Sequence, residues 1–182
     1  MVLLQLFREE KENRKHLFDY LLSEFPQIST LVYCINSKQN DSIYDQEVEI
    51  YSGEGFIMEE MDGLQFKIGP KSFFQTNYKQ ALELYRKTLE FADLKGDEVV
   101  YDLYTGTGTI AQYVARNAKH VIGIESVPQA IEAAREHAEL HGLSNCTFYC
   151  GDMKAVLNDE VLALPPNAAV LFSAPTACGQ SR

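Results

Sequence analysis

Apolar and polar positions follow two different rhythms along the chain, changing near residue 70. In the first stretch, Val2–Leu6 reads as a strand. Glu9–Glu24 reads as a helix with Leu17, Tyr20, Leu21 and Leu22 near one face. Pro26 stops that helix, Thr30–Asn36 (TLVYCIN) gives a second strand, and Ser37–Asp45 is a polar loop. Glu47–Tyr51, Gly55–Glu60 and Leu64–Ile68 then read as strands joined at Ser52-Gly53-Glu54 and Asp62-Gly63, where glycine supplies turn geometry. The expectation for residues 1–70 is a small α+β domain, a largely antiparallel sheet with one helix.

After Gly69-Pro70 comes SFFQTN, then a helix from about Tyr78 to Ala92 that Asn77 is placed to cap. Leu82, Tyr85, Leu89 and Ala92 keep helical spacing there. From Glu98 strands and helices alternate: Val99–Tyr104, Thr109–Arg116, His120–Glu125, Val127–His141, Cys146–Cys150, Met153–Asn158 and Ala168–Phe172. Such alternation predicts βαβ units and a parallel sheet over residues 71–182, an α/β class. It leaves the apolar AAVLF strand at an exposed edge, an invitation to self-association. The final SAPTACGQSR reads as neither helix nor strand.

Composition narrows this picture. The 182 residues are 46% hydrophobic and 23% charged, enough for a packed core and unlike a disordered chain. A net charge of −10 speaks against a freestanding nucleic-acid binder, which shows a basic footprint. Apolar runs fall far short of the ~20 residues that span a bilayer. The start, MVLLQLFREEKENRK, is too briefly apolar for a signal peptide. Cys34, Cys146, Cys150 and Cys178 fit neither a disulfide framework nor a CxxC metal pair. Cys146 and Cys150 share one face of a strand and read as small buried hydrophobes in a reducing cytoplasm. His16, His120, His137 and His141 form no metal set; His137 and His141, beside Glu136 and Glu139, read as solvated.

The chemistry concentrates in Val99–Ile110, VVYDLYTGTGTI. A β-rich run carrying Asp102 opens into Gly106-Thr107-Gly108-Thr109 before a helical pattern, the arrangement that lets backbone approach a nucleotide-like ligand. Glu125 ends the next strand about 20 residues on, where an acid accepts hydrogen bonds from ribose hydroxyls. Asp152 follows the strand after that. Asp102 either anchors the turn or bonds the amino group of a ligand. Tyr104 either lines an adenosine pocket or packs on the sheet. In SFFQTN the adjacent Phe73 and Phe74 point oppositely in an extended chain, and Gln75 and Asn77 place two amides before a helix.

The segments FKIGPKSFFQTNYKQALELY, VVYDLYTGTGTIAQYVA and VIGIESVPQAIEAAREHAELHGLSNCTFYCGD together closely resemble the RNA uracil-5-methyltransferase family. The resemblance covers about Met1 to Phe172 and implies a Rossmann-like class I methyltransferase sheet preceded by the small α+β domain. It implies S-adenosylmethionine as cofactor and C5 of a uridine in transfer or ribosomal RNA as target. Gln75 matches the glutamine of the family's SFFQ motif, near cofactor and target base. Tyr104 matches the aromatic residue before the glycine turn, Gly106 and Gly108 the turn, and Glu125 the acid that binds the cofactor ribose. Asp152 matches a position in the adenine pocket. Thr105 stands where many relatives have cysteine.

Ser173-Ala174-Pro175-Thr176 replaces the family's Asp-Pro-Pro-Arg-like segment. The Ser-Cys-Asn-Pro-like segment carrying the family's nucleophile, its glutamate base and its N-terminal RNA-binding barrel have no counterpart in the sequence. The expectation is therefore a cofactor-binding fragment, or the product of a frameshift near residue 172, with no catalytic residue of its own. The implied reaction needs that nucleophile: C5 of uracil is activated by thiolate addition at C6 before it takes the methyl group. Two other readings stay open from the residues. Gly106-Thr-Gly108-Thr-Ile-Ala111 nearly satisfies the GxGxxG/A fingerprint of an NAD-dependent oxidoreductase. An exposed edge strand would also suit a non-catalytic interaction module.

Overall fold

The computed structural model describes residues 1–38, 42–75 and 77–157 and the backbone of 168–172. They fall into two compact units: Met1–Glu59 with Lys67–Ser72, and Glu60–Phe66 with the residues from Phe73 onward.

In the first unit, β1 (Val2–Leu6), α1 (Lys11–Glu24), β2 (Leu31–Ile35) and β3 (Glu49–Ser52) form a three-stranded sheet in the order β1-β2-β3. β1 and β2 are parallel, with Val2 opposite Leu31, and β3 runs antiparallel to β2. The largely antiparallel sheet expected from sequence is thus corrected. α1 carries the chain back between β1 and β2, and a crossover helix delivers the next strand in parallel. The face assigned to α1 is corrected too: Phe18 is buried, whereas Leu17 and Tyr20 are 44% and 58% exposed. The inward stripe runs through Arg14 and Phe18 to Leu22, with the Arg14 guanidinium 4.3 Å from the centre of the Tyr33 ring. A long cationic side chain covers apolar surface with its stem, which a hydrophobic pattern does not register.

β4 (Ile57–Met61) and β5 (Leu64–Ile68) pair as a separate two-stranded sheet. Asp62 (φ +52°) and Gly63 (φ +78°) both take the left-handed conformation of a two-residue hairpin turn. The tip of this hairpin, residues 60–66, belongs to the second unit.

The second unit continues with α2 (Tyr78–Ala92), β6 (Val99–Leu103), α3 (Thr109–Ala115), β7 (His120–Glu125), α4 (Pro128–Leu140), β8 (Cys146–Cys150), α5 (Met153–Val156) and β9 (Ala168–Phe172). Asn77 caps α2 as expected, its Oδ1 accepting the Gln80 N–H at 3.2 Å. The four strands lie in the order β8-β7-β6-β9, all parallel. Val100 packs with Val114, Val121, Ile131, Ala134 and Phe148 on one face; Tyr101, Leu103 and Ile124 pack with Met153 and Val156 on the other. The period-two alternation along β6 thus feeds both layers.

The chain steps outward from β6 to β7 and β8, then returns to the other side of β6 as β9. Open α/β sheets bind ligands at the carboxyl ends of the strands beside such a reversal.

Candidate functional site

The turn leaving β6 is built from both ends. Thr105 N–H donates to the Ile124 carbonyl at 3.0 Å, and Gly108 N–H donates to the Thr105 carbonyl at 2.9 Å. Asp102 lies wholly buried beneath it. One oxygen, Oδ2, accepts the Thr105 hydroxyl at 2.6 Å and the Ala111 N–H at 3.1 Å. Of the two roles open to Asp102 in the sequence, its geometry is that of the anchor. Its charge is felt nearby: burial, and secondarily the Asp102 carboxylate, push the Tyr85 phenol up to about 12.

Three residues of the turn have positive φ: Tyr104 (+62°), Gly106 (+57°) and Gly108 (+76°). The two glycines serve different ends. A Cβ on Gly106 would meet nothing within 4 Å, so backbone lies bare on the open side of the turn. A Cβ on Gly108 would lie 2.9 Å from Ala134 Cβ, 3.0 Å from Gln112 Nε2 and 3.1 Å from the Phe148 ring, so this glycine permits close packing. Tyr104, held in a conformation that costs a non-glycine residue about 1–2 kcal/mol, is 42% exposed.

Glu125 closes β7 beside the turn. Its Oε2 accepts the Gly106 N–H at 3.3 Å. Its Oε1 accepts the Ser126 and Val127 N–H groups at 2.7 and 3.1 Å and the Ser126 hydroxyl at 3.0 Å. Asp152, exposed after β8, caps the short α5 through the Lys154 N–H at 2.9 Å. Asp102, the glycine turn, Glu125 and Asp152 therefore occupy the carboxyl ends of β6, β7 and β8. Gln75 is exposed; Phe73 is 51% exposed while Phe74 packs on Phe66, ring centres 5.9 Å apart, so the two phenylalanines do diverge.

Other residues depart from the sequence reading. His137 is buried, at 2% exposure, and His141 is half-buried, so neither is solvated. The last turn of α4 and its C-cap place them inward although glutamates flank them; their helical spacing from Ile131 and Ala134, both buried, is the signal that finds them. Cys150 is exposed, whereas Cys146 is half-buried and burial pushes its thiol up to about 11. Ser173 to Thr176 and Cys178 lie outside the described residues. Among the described residues there is no group of three His, Cys, Asp or Glu able to hold a metal, and no helix long and apolar enough to cross a membrane.

Residues 94–164 match a family model described as a methyltransferase domain. The chain is 51% identical over 193 aligned positions to a protein of Porphyromonas gingivalis named as an uncharacterized RNA methyltransferase, covering 96% of this chain and 42% of that protein. A Bacteroides thetaiotaomicron protein of the same name is 49% identical, with 93% of this chain and 37% of the relative covered. Among solved structures, the tRNA (uracil-54, C5)-methyltransferase of Pyrococcus abyssi in complex with S-adenosyl-L-homocysteine superimposes with a TM-score of 0.57 at 34% identity, covering 68% of this chain and 30% of that one. The parallel sheet of the second unit is thus of the Rossmann-like kind, and residues 94–164 within it resemble a methyltransferase domain. Over nearly its whole length the chain is similar to proteins named as RNA methyltransferases, and it spans about two fifths of the length of those curated relatives.

Proposed function

We propose that the glycine turn after β6 and the Glu125 carboxylate bind S-adenosylmethionine, and that the reaction served is methyl transfer to C5 of a uridine in transfer or ribosomal RNA. The observation that carries the cofactor reading is the meeting of Glu125 and Gly106 at the strand ends where the order reverses. A nucleoside laid along the strand ends has its ribose hydroxyls opposite a carboxylate already oriented by backbone donors. Gly106 leaves backbone open to close approach. Tyr104 offers an exposed ring and Asp152 an exposed carboxylate at the neighbouring strand end, and Gln75 is the residue of the SFFQ segment proposed to reach the methyl-bearing end. Asp102 acts here as a positioning residue, through Thr105 and Ala111.

The cofactor would supply an electrophilic methyl group on sulfonium. The chain's own residues would bind and orient it through the exposed Tyr104 ring, the open Gly106 backbone and the Glu125 carboxylate. The uridine target is favoured by the SFFQTN and DLYTGTGT segments and by the likeness to the uracil-C5 enzyme. A target in RNA and chemistry that uses a thiolate both suit a reducing cytoplasm. The proposed domain plan is a central α+β domain over residues 1–70 followed by the cofactor domain from residue 71.

Calorimetric titration with S-adenosylhomocysteine, with NADH as control, tests the reading. Saturable binding of S-adenosylhomocysteine alone, lost in Glu125→Ala, is the expected result. Binding of NADH instead, or S-adenosylhomocysteine binding untouched by the substitution, would overturn it.

A further inference from the structure

The inner face of α4 carries His137, and the C-cap of the helix is His141, two histidines that the cofactor reading leaves unused. His137 Nδ1 lies 3.3 Å from the Thr107 carbonyl oxygen. One turn on, His141 Nε2 lies 2.8 Å from the Gln65 backbone nitrogen, and its Nδ1 lies 2.9 Å from Gln112 Oε1. The direction of these bonds follows from groups whose roles are fixed. The Ala134 carbonyl only accepts, so Gln112 turns its Nε2 toward it at 3.2 Å and its Oε1 toward His141. An amide oxygen only accepts, so His141 Nδ1 carries the hydrogen. The Gln65 backbone nitrogen only donates, so His141 Nε2 is bare. The neutral Nδ1–H tautomer meets all three demands.

The peptide unit between Thr107 and Gly108 is held at both ends. Its carbonyl accepts from His137 and its N–H donates to the Thr105 carbonyl at 2.9 Å. Gln112 lies 3.0 Å from where a Gly108 Cβ would be. Phe66, 1% exposed at the hairpin tip, stands edge-on to both imidazoles, with ring centres 5.4 and 5.6 Å away. Its other neighbour is Phe74 of the SFFQ segment.

We propose that His137 and His141 are positioning residues for the cofactor turn, His137 fixing the Thr107–Gly108 peptide plane from beneath and His141 locking Gln112 and the hairpin tip behind it. This inference rests on the reading of the turn as the cofactor site. It makes cofactor affinity depend on two side chains that do not reach the open side of the turn.

The test uses the full 182-residue chain near neutral pH. His137→Leu fills the space without a donor, and S-adenosylhomocysteine affinity falls about tenfold, the scale of one hydrogen bond. His137→Asn places an amide N–H where Nδ1–H stood and regains most of the affinity. A space-filling role would give the reverse order, with Leu tolerated and the smaller Asn not, and would overturn the proposal. If the wild-type chain binds no S-adenosylhomocysteine, the cofactor reading fails, and the unliganded chain decides the positioning claim. Nitrogen NMR is then expected to show the Nδ1–H tautomer at His141 and slow exchange of the Gly108 N–H, faster in His137→Leu and slow again in His137→Asn. The Nε2–H tautomer, or exchange indifferent to both variants, would overturn it. Should His137→Leu not fold, the His141 tautomer in the wild type and the His137→Asn exchange rate decide the same way.

Discussion

Glu125 and Gly106 share one hydrogen bond, from the Gly106 N–H to Glu125 Oε2 at 3.3 Å, and through it the end of β7 is tied to the turn that leaves β6. The other carboxylate oxygen is held by the Ser126 and Val127 N–H groups. The carboxylate is therefore oriented before any ligand arrives, and binding does not have to order it. Glu125→Gln keeps the shape and removes the charge. Ribose hydroxyls then lose a charged acceptor, and S-adenosylhomocysteine affinity is expected to fall about tenfold or more by calorimetry. The urea midpoint should hardly move, because the site lies at a partly exposed strand end.

The two glycines of the turn separate ligand approach from packing. Gly106→Ala meets no atom within 4 Å, so its cost is the left-handed backbone alone, about 1 kcal/mol. Its new methyl group stands on the open side, and S-adenosylhomocysteine binding should suffer out of proportion to stability. Gly108→Ala drives a methyl group into Ala134, Gln112 and Phe148 at a φ of +76°. Strain and overpacking together should cost about 3 kcal/mol. Paired urea melts and titrations check the contrast; equal effects on stability would contradict it.

Asp102 tests whether the turn is held by the chain itself. Asp102→Ala strands the buried Thr105 hydroxyl and Ala111 N–H, both of which Oδ2 now accepts. The expected loss is about 3 kcal/mol in the absence of ligand, measured by urea denaturation. Asp102→Asn retains an acceptor oxygen and should cost less. An unaltered midpoint in the Ala variant would mean that the carboxylate serves a ligand rather than the turn.

The strand–helix alternation from Val99 onward was legible because the central strand β6 feeds both core layers with apolar side chains and α4 keeps a one-sided stripe. Glu125 and the glycines were legible for the same reason: they mark strand ends, and a strand end is local in sequence. What sequence could not carry is non-local. Whether β1 and β2 run parallel depends on where α1 returns the chain, not on the pattern of either strand. His137 and His141 sit among glutamates that obscure their helical spacing from Ile131 and Ala134, and the partners they face, Phe66 and Gln112, are distant in sequence. The double duty of Asp102 likewise needed the positions of Thr105 and Ala111 to be resolved.

Thiol labelling should separate the described cysteines by burial. Cys34 is buried and Cys146 half-buried, and desolvation raises both thiols, Cys146 to about 11, so little thiolate forms near neutral pH. Cys150 is exposed, its Sγ 3.9 Å from the Ser126 carbonyl oxygen. Iodoacetamide followed by peptide mapping is expected to modify Cys150 first, with Cys34 and Cys146 reacting only on denaturation. Early labelling of Cys146 would show that β8 opens in solution.

Acid should weaken the second unit through His141. Burial holds this imidazole below the usual histidine range, and the electrostatic effects of His137 on α4 and Arg116 after α3 push the same way. Its partners Gln65 and Gln112 carry no charge. Above the unfolded value of about 6.5 both states are neutral and the group leaves stability unchanged with pH. As pH falls through that value the unfolded chain takes up the proton first, so the folded state loses stability until the lower folded pKa is passed. Protonation also sets an N–H against the Gln65 N–H and breaks that bond. His141→Gln removes the titrating group, so its urea midpoint should start lower near neutral pH and fall less steeply toward about pH 5 than the wild type. The difference between the two curves isolates His141 from every group common to both proteins. Parallel curves would show that the imidazole is free to charge in the folded chain, with the hairpin tip held by Phe66 and by the Arg116 guanidinium on the Asp62 carbonyl.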